Sequence, residues 1–237
     1  MVTEVLLNNT KRINSSTLYF NIKIQTMRLL FLTLILVPFY TFSQYGSVEL
    51  SSGGFSFVPA FTDSSPNVIL NAGTGTKKRI SAYMIGNIRM NTLTPRSFIF
   101  VTQIKLLDRK DKKLKLSGGI IFPLIQIEED YTVNTYFSQR LGATYPISKK
   151  WILKSDYIHG KGTNNDLEIN LITLTGILQQ NKFSFATQIY YLDLDTTYGF
   201  AETINYRLSS RFDLRGFINQ TISSNQFIWT AGIRYRL

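Results

Sequence analysis

From about residue 79 to the C-terminus, apolar and polar side chains alternate in blocks of about ten residues, each closed by a polar join. Alternation with a period of two belongs to strands whose two faces meet different surroundings, and about ten tilted residues cross a bilayer. SFIFVTQIKLL sets Phe98, Phe100, Ile104 and Leu106 against Gln103 and Lys105. KLKLSGGIIF sets Leu114, Leu116, Ile120 and Phe122 against Lys113, Lys115 and Ser117. In VNTYFSQRLGATY, Val133, Phe137, Leu141 and Tyr145 oppose Asn134, Ser138 and Arg140; in WILKSDY, Trp151, Leu153 and Tyr157 oppose Lys154 and Asp156. LEINLITLTGI is read with Leu167, Ile169, Leu171 and Ile177 on the apolar face and Glu168 and Asn170 opposite. The pattern continues through Phe183, Phe185, Ile189 and Tyr191, then Ile204, Tyr206, Leu214 and Ile218. Glu202 breaks it by falling on the apolar face, which calls for a bulge or a place near the membrane rim.

The joins alternate in kind. Residues 108–112, 148–150, 180–182 and 209–211 read as tight turns, while 126–130, 160–166 and 193–197 are polar stretches in the complementary positions. Short turns on one side and longer loops on the other is the layout of an antiparallel, up-and-down transmembrane β-barrel, with the short side periplasmic. The competing reading is a soluble β-sandwich, since alternation alone says only that one face is buried. Three features favour the barrel: near-uniform strand length, Tyr145, Trp151, Tyr206, Trp229 and Tyr235 near block ends where interfacial girdles sit, and an export segment.

That segment is MRLLFLTLILVPFYTFSQ: an Arg after Met27, an apolar run ended by Pro38, and small residues at Thr41 and Ser43. It reads as a signal peptide over 27–43, cleaved before Gln44. Residues 1–26 are polar and unpatterned and precede this second Met, so translation is expected to begin at Met27. No later run is long and apolar enough for a membrane helix.

The formal net charge is +11, of which Lys11, Arg12, Lys23 and Arg28 against Glu4 place +3 before Gln44. The remaining basic residues are dispersed, whereas a nucleic-acid footprint needs clustering, so no nucleic-acid partner is expected. Cysteine is absent, which excludes a disulfide, a thiolate metal site and a lipid-anchored cysteine. No metal-ligand cluster or phosphate-cradling loop is found, GTGTKK lacking the spacing of a P-loop, and no cofactor is expected.

The last eleven residues, FIWTAGIRYRL, alternate without a break: Phe227, Trp229, Ala231, Ile233, Tyr235 and Leu237 face one way, Thr230, Gly232, Arg234 and Arg236 the other. This segment resembles the C-terminal assembly signal of Gram-negative outer-membrane β-barrel proteins, departing from it in ending on Leu237 where Phe or Trp is usual. The Ser-Gln leader end and the Tyr- and Lys-rich style resemble envelope proteins of the Bacteroidota. The resemblance implies an outer-membrane location, surrounding lipid, the barrel-assembly machinery and other envelope proteins as partners.

Counting back from Leu237 gives ten strands over 79–237. Residues 44–78 add a hairpin, for twelve, if GSVEL–GGFSFV and PNVILNAG both form strands; Gly53 and Gly54 weigh against the first. The inward positions then carry Lys105, Lys115, Arg140, Lys154, Arg207, Arg215, Arg234 and Arg236 against Asp156, Glu168 and Asp213. Buried charges must pair, so a side-chain-filled interior ion network is expected, in a non-enzymatic scaffold or a narrow, porin-like pore. The rival is a lipid-modifying or proteolytic barrel using His159 at the extracellular rim, with Asp156 and Asp166 nearby. A lipid A deacylase has Ser two residues after its His; Lys161 stands there, and the parity of His159 puts it on the lipid side.

Overall fold

The computed structural model describes residues 45–237 apart from 55, 57, 63, 76, 77, 110–112 and 129. The leader readings of 1–26 and 27–43 lie outside the described residues. Among those described, twelve strands close into one antiparallel barrel. They are β1 (Tyr45–Ser51), β2 (Asn67–Gly73), β3 (Ile80–Arg89), β4 (Pro95–Leu107), β5 (Lys115–Ile127) and β6 (Val133–Pro146), followed by β7 (Trp151–Gly162), β8 (Glu168–Gln179), β9 (Phe183–Leu192), β10 (Thr197–Arg207), β11 (Phe212–Thr221) and β12 (Gln226–Arg236). Each pairs with its neighbours in the chain, and β12 closes on β1.

Ten of these, β3 to β12, fall over 79–237 as expected, and residues 45–73 supply the additional hairpin β1–β2, so the barrel has twelve strands and begins at Tyr45. The hairpin β1–β2 is hard to see in sequence because each strand has 7 residues, too few for alternation to stand out. It forms because β3 and β12 would otherwise each leave an open sheet edge. Its two ends are in direct register, Tyr45 opposite Gly73 and Ser51 opposite Asn67.

Outward-facing residues make an apolar belt: Leu106, Ile120, Leu141, Ile172, Ile189, Phe200 and Trp229 are all exposed. In a soluble protein this much contiguous apolar surface is a liability; around a closed barrel it is the lipid contact. On β10 the outward row is Tyr198, Phe200, Glu202, Ile204 and Tyr206, with a tyrosine near each end. The pairing of β10 with β9 and β11 runs through Glu202 without a register shift. Glu202 is thus neither at a bulge nor at a rim but midway along a lipid-facing row, hydrogen-bonded by the hydroxyl of Thr187. A carboxyl at that depth is costly, so Glu202→Leu is expected to stabilise the barrel by about 1–2 kcal/mol. Urea unfolding in lipid vesicles would measure it, and an unchanged or lower midpoint would refute it.

Candidate functional site: a two-layered lumen

Residues that register across the sheet fix which side chains enter the lumen. On the side of the termini these are charged. Glu49 of β1, 2% exposed, accepts hydrogen bonds from Arg234 Nε at 2.9 Å and Nη2 at 2.7 Å, with Arg215 Nη1 at 3.5 Å. Asp213 accepts from Arg236 Nε at 2.6 Å and Nη2 at 2.7 Å. Across the lumen wall, Asp156 of β7 accepts from Arg140 of β6 through Nε at 3.0 Å and Nη2 at 2.7 Å. Gly142 stands opposite Asp156, and a Cβ there would lie 2.6 Å from Asp156 Oδ1, so the glycine makes room for the carboxylate.

Lys154, two residues before Asp156, also points inward, and it makes no salt bridge among the described residues. At the rim, Lys105 Nζ at 2.8 Å and Lys115 Nζ at 2.9 Å flank Asp108, which follows β4. Their hydrogen bonds, that of Lys105 first, hold its carboxyl down to about 2. Arg207 ends β10 at the same rim and is exposed. In the lumen proper, Arg140, Lys154, Arg215, Arg234 and Arg236 outnumber Glu49, Asp156 and Asp213, leaving a positive surplus among the described residues.

Glu168 does not join this network. In β8 the odd positions turn inward, with Leu171 0% exposed, while Glu168, Ile172 and Leu174 are exposed on the outer face. The expectation that Ile169, Leu171 and Ile177 face lipid is corrected with it. The second half of β8 does alternate, outward Ile172 and Leu174 against inward Thr173 and Thr175, but at Ile169 and Leu171 the inward side chains are apolar because they pack in the interior cluster, which reverses the local pattern. Glu168 is tolerated outward because it lies at the strand end. Glu49 was the opposite omission. SVELS does alternate, and its Ser–Glu–Ser row was the available signal.

The other half of the lumen holds an apolar cluster edged by buried polar side chains, among them Asn67, Asn87, Arg89, Ser97, Ser138, Asn219 and Thr221. Ile69, Ile85, Ile99, Val101, Ile121, Ile158, Leu171, Tyr190 and Leu192, from seven different strands, pack together there. Val58 joins them from the connection between β1 and β2. The same connection carries a short 3-10 helix, Pro59–Phe61, with Pro59 buried, and this helix touches β10 and β11. The lumen therefore has a charged layer on the terminus side and, on the loop side, an apolar septum edged by buried polar side chains.

His159 stands outside, on the outer face near the loop-side end of β7. Its Nδ1 lies 3.0 Å from Asn170 Oδ1, which also accepts the Tyr157 hydroxyl at 2.7 Å. Asn170 in turn donates to Asp193 through its backbone N at 2.7 Å and Nδ2 at 2.6 Å. These bonds, the backbone one foremost, hold the Asp193 carboxyl below its usual range. Asp156 is on the opposite face of β7, bound to Arg140, and Asp166 is exposed in the following loop, so the three do not form one site. No group of three or more His, Asp and Glu among the described residues stands close enough to hold a metal ion.

No family model matches the chain, and none of the curated proteins does. Solved structures do. A KdgM porin matches with a TM-score of 0.57 at 8% identity, covering 81% of this chain and 97% of that one. A KdgM porin in complex with disordered oligogalacturonate gives 0.58 at 8% identity, with coverages of 81% and 97%. The COG4313 outer membrane channel from Pseudomonas putida F1 gives 0.52 at 11% identity, covering 81% of this chain and 93% of that one. The fold is that of an outer-membrane porin. The apolar belt is then the lipid contact of an outer-membrane barrel.

Proposed function

We propose that this barrel is a narrow, non-enzymatic pore of the outer membrane that favours small anions. The observation that carries this reading is the surplus of inward Arg and Lys over Glu and Asp in the terminus-side half of the lumen, which in the usual layout of such barrels faces the periplasm. Rings of basic side chains select anions by concentrating them at a low-dielectric wall. Lys154 contributes most directly, because its ammonium is not matched by a carboxylate of its own. The complex of a KdgM porin with oligogalacturonate supports the notion that a barrel of this fold admits a solute.

Planar-bilayer recording tests the reading. Small steady currents with a reversal potential on the anion side of a salt gradient are expected, and Lys154→Glu should move that potential toward cation selectivity. A second reading, a closed scaffold of the envelope, is favoured by the apolar septum; electrical silence would support it and overturn the pore. As partners we infer surrounding lipid, the barrel-assembly machinery acting on Phe227, Trp229, Ala231, Ile233, Tyr235 and Leu237, and other envelope proteins.

A further inference from the structure

On the outer side of the septum, a cavity of about 330 Å³ lies between Ser56, Val58 and Phe61 of the β1–β2 connection and the inner wall of β4 to β8. Val58 and Ile99, both members of the septum, line it together with Ile169. Arg96, Gln126 and Tyr136 add a cation and hydrogen-bonding groups to the same lining. A cavity of about 150 Å³ is large enough to take up benzene. A space about twice that size suits a ligand of roughly ten to fourteen non-hydrogen atoms. Such a mostly apolar pocket with a few convergent polar groups is the usual form of a small-molecule site.

The geometry points to a binding site for an amphipathic monocarboxylate, an aryl-alkyl or medium-chain acid whose apolar body rests on Val58, Ile99 and Ile169 while its carboxylate meets Arg96, Gln126 and Tyr136. The wall at Gly160 is part of the fit. A Cβ at Gly160 would lie 2.8 Å from Ser138 Oγ and 3.2 Å from Ile169 Cγ1, so a larger residue must displace the wall or fill the cavity. The assignment goes beyond the pore reading and does not depend on conduction, since the cavity lies outside the septum.

The test uses the full barrel in lipid nanodiscs, titrated calorimetrically with 4-phenylbutyrate and with its uncharged counterpart 4-phenylbutanol. Saturable binding of the acid at one site is expected, with the alcohol at least tenfold weaker. Gly160→Val and Ile169→Gln should each weaken the acid at least tenfold, and Arg96→Gln should reduce the acid toward the alcohol. Ile169→Gln adds no bulk at the wall and so stands in if Gly160→Val does not fold; heat-dependent gel mobility reports folding of each variant. Absence of saturable binding, equal affinity for acid and alcohol, or folded variants that bind as tightly as the parent would each overturn the site. Silence in planar bilayers together with saturable binding would remove the pore and leave the site standing.

Discussion

Glu49→Ala is expected to destabilise the barrel by about 3 kcal/mol, because it leaves two inward guanidiniums without their counterion. Arg234 and Arg215 both bond to the one Glu49 carboxylate, which is almost wholly buried, and water replaces it only in part. The loss falls at the seam where β1 meets β12, so it also weakens closure of the barrel. Glu49→Leu combined with Arg234→Met and Arg215→Met should recover most of the loss, since removing all charged members together leaves none unpaired. Urea unfolding in lipid vesicles, followed by tryptophan fluorescence, measures both. A Glu49→Ala midpoint equal to that of the parent would mean that lumen water solvates these arginines and that the pairing contributes little.

Replacing residues 52–66 by Asn-Gly is expected to raise single-channel conductance several-fold. Ser51 and Asn67 are in direct register, so a two-residue type I′ turn can join β1 to β2 without moving either strand. The exchange withdraws Val58 and Pro59 from the lumen and leaves the apolar ring without its central filler. Water then has a path past Ile99, Leu171 and Leu192. Bilayer recording of the shortened barrel checks this; a conductance no higher than the parent's would show that the strand side chains alone close the septum. The shortened barrel should also lose 4-phenylbutyrate binding, because Val58 and Phe61 line the cavity.

Much of the architecture was legible in the chain. Blocks such as 133–145 and 226–236 alternate strongly because lipid lies on one side of the wall and a charged or hydroxyl-bearing lumen on the other. In the structure His159 bonds Asn170 on the outer face, while Arg140 pairs with Asp156, Arg236 with Asp213, and Arg215 and Arg234 with Glu49. Where the contrast fades the reading fails, as in β8, whose inward Leu171 and outward Ile172 are equally apolar.

What the sequence determined by itself is the strand period and, wherever lumen and lipid faces differ in polarity, the identity of the lipid-facing row, since these follow from local alternation. The tertiary structure alone decided that β1 and β2 complete a ring of twelve among the described residues, and that Glu49 meets Arg234 across 185 positions of chain. It also decided that an apolar septum edged by buried polar side chains stands beyond the charged layer of the lumen, with Glu202 stranded midway across the lipid belt. The reason is that alternation records only the difference between two faces. Which strand completes the circle, and what fills the space it encloses, depends on residues far apart in sequence that meet only when the sheet closes.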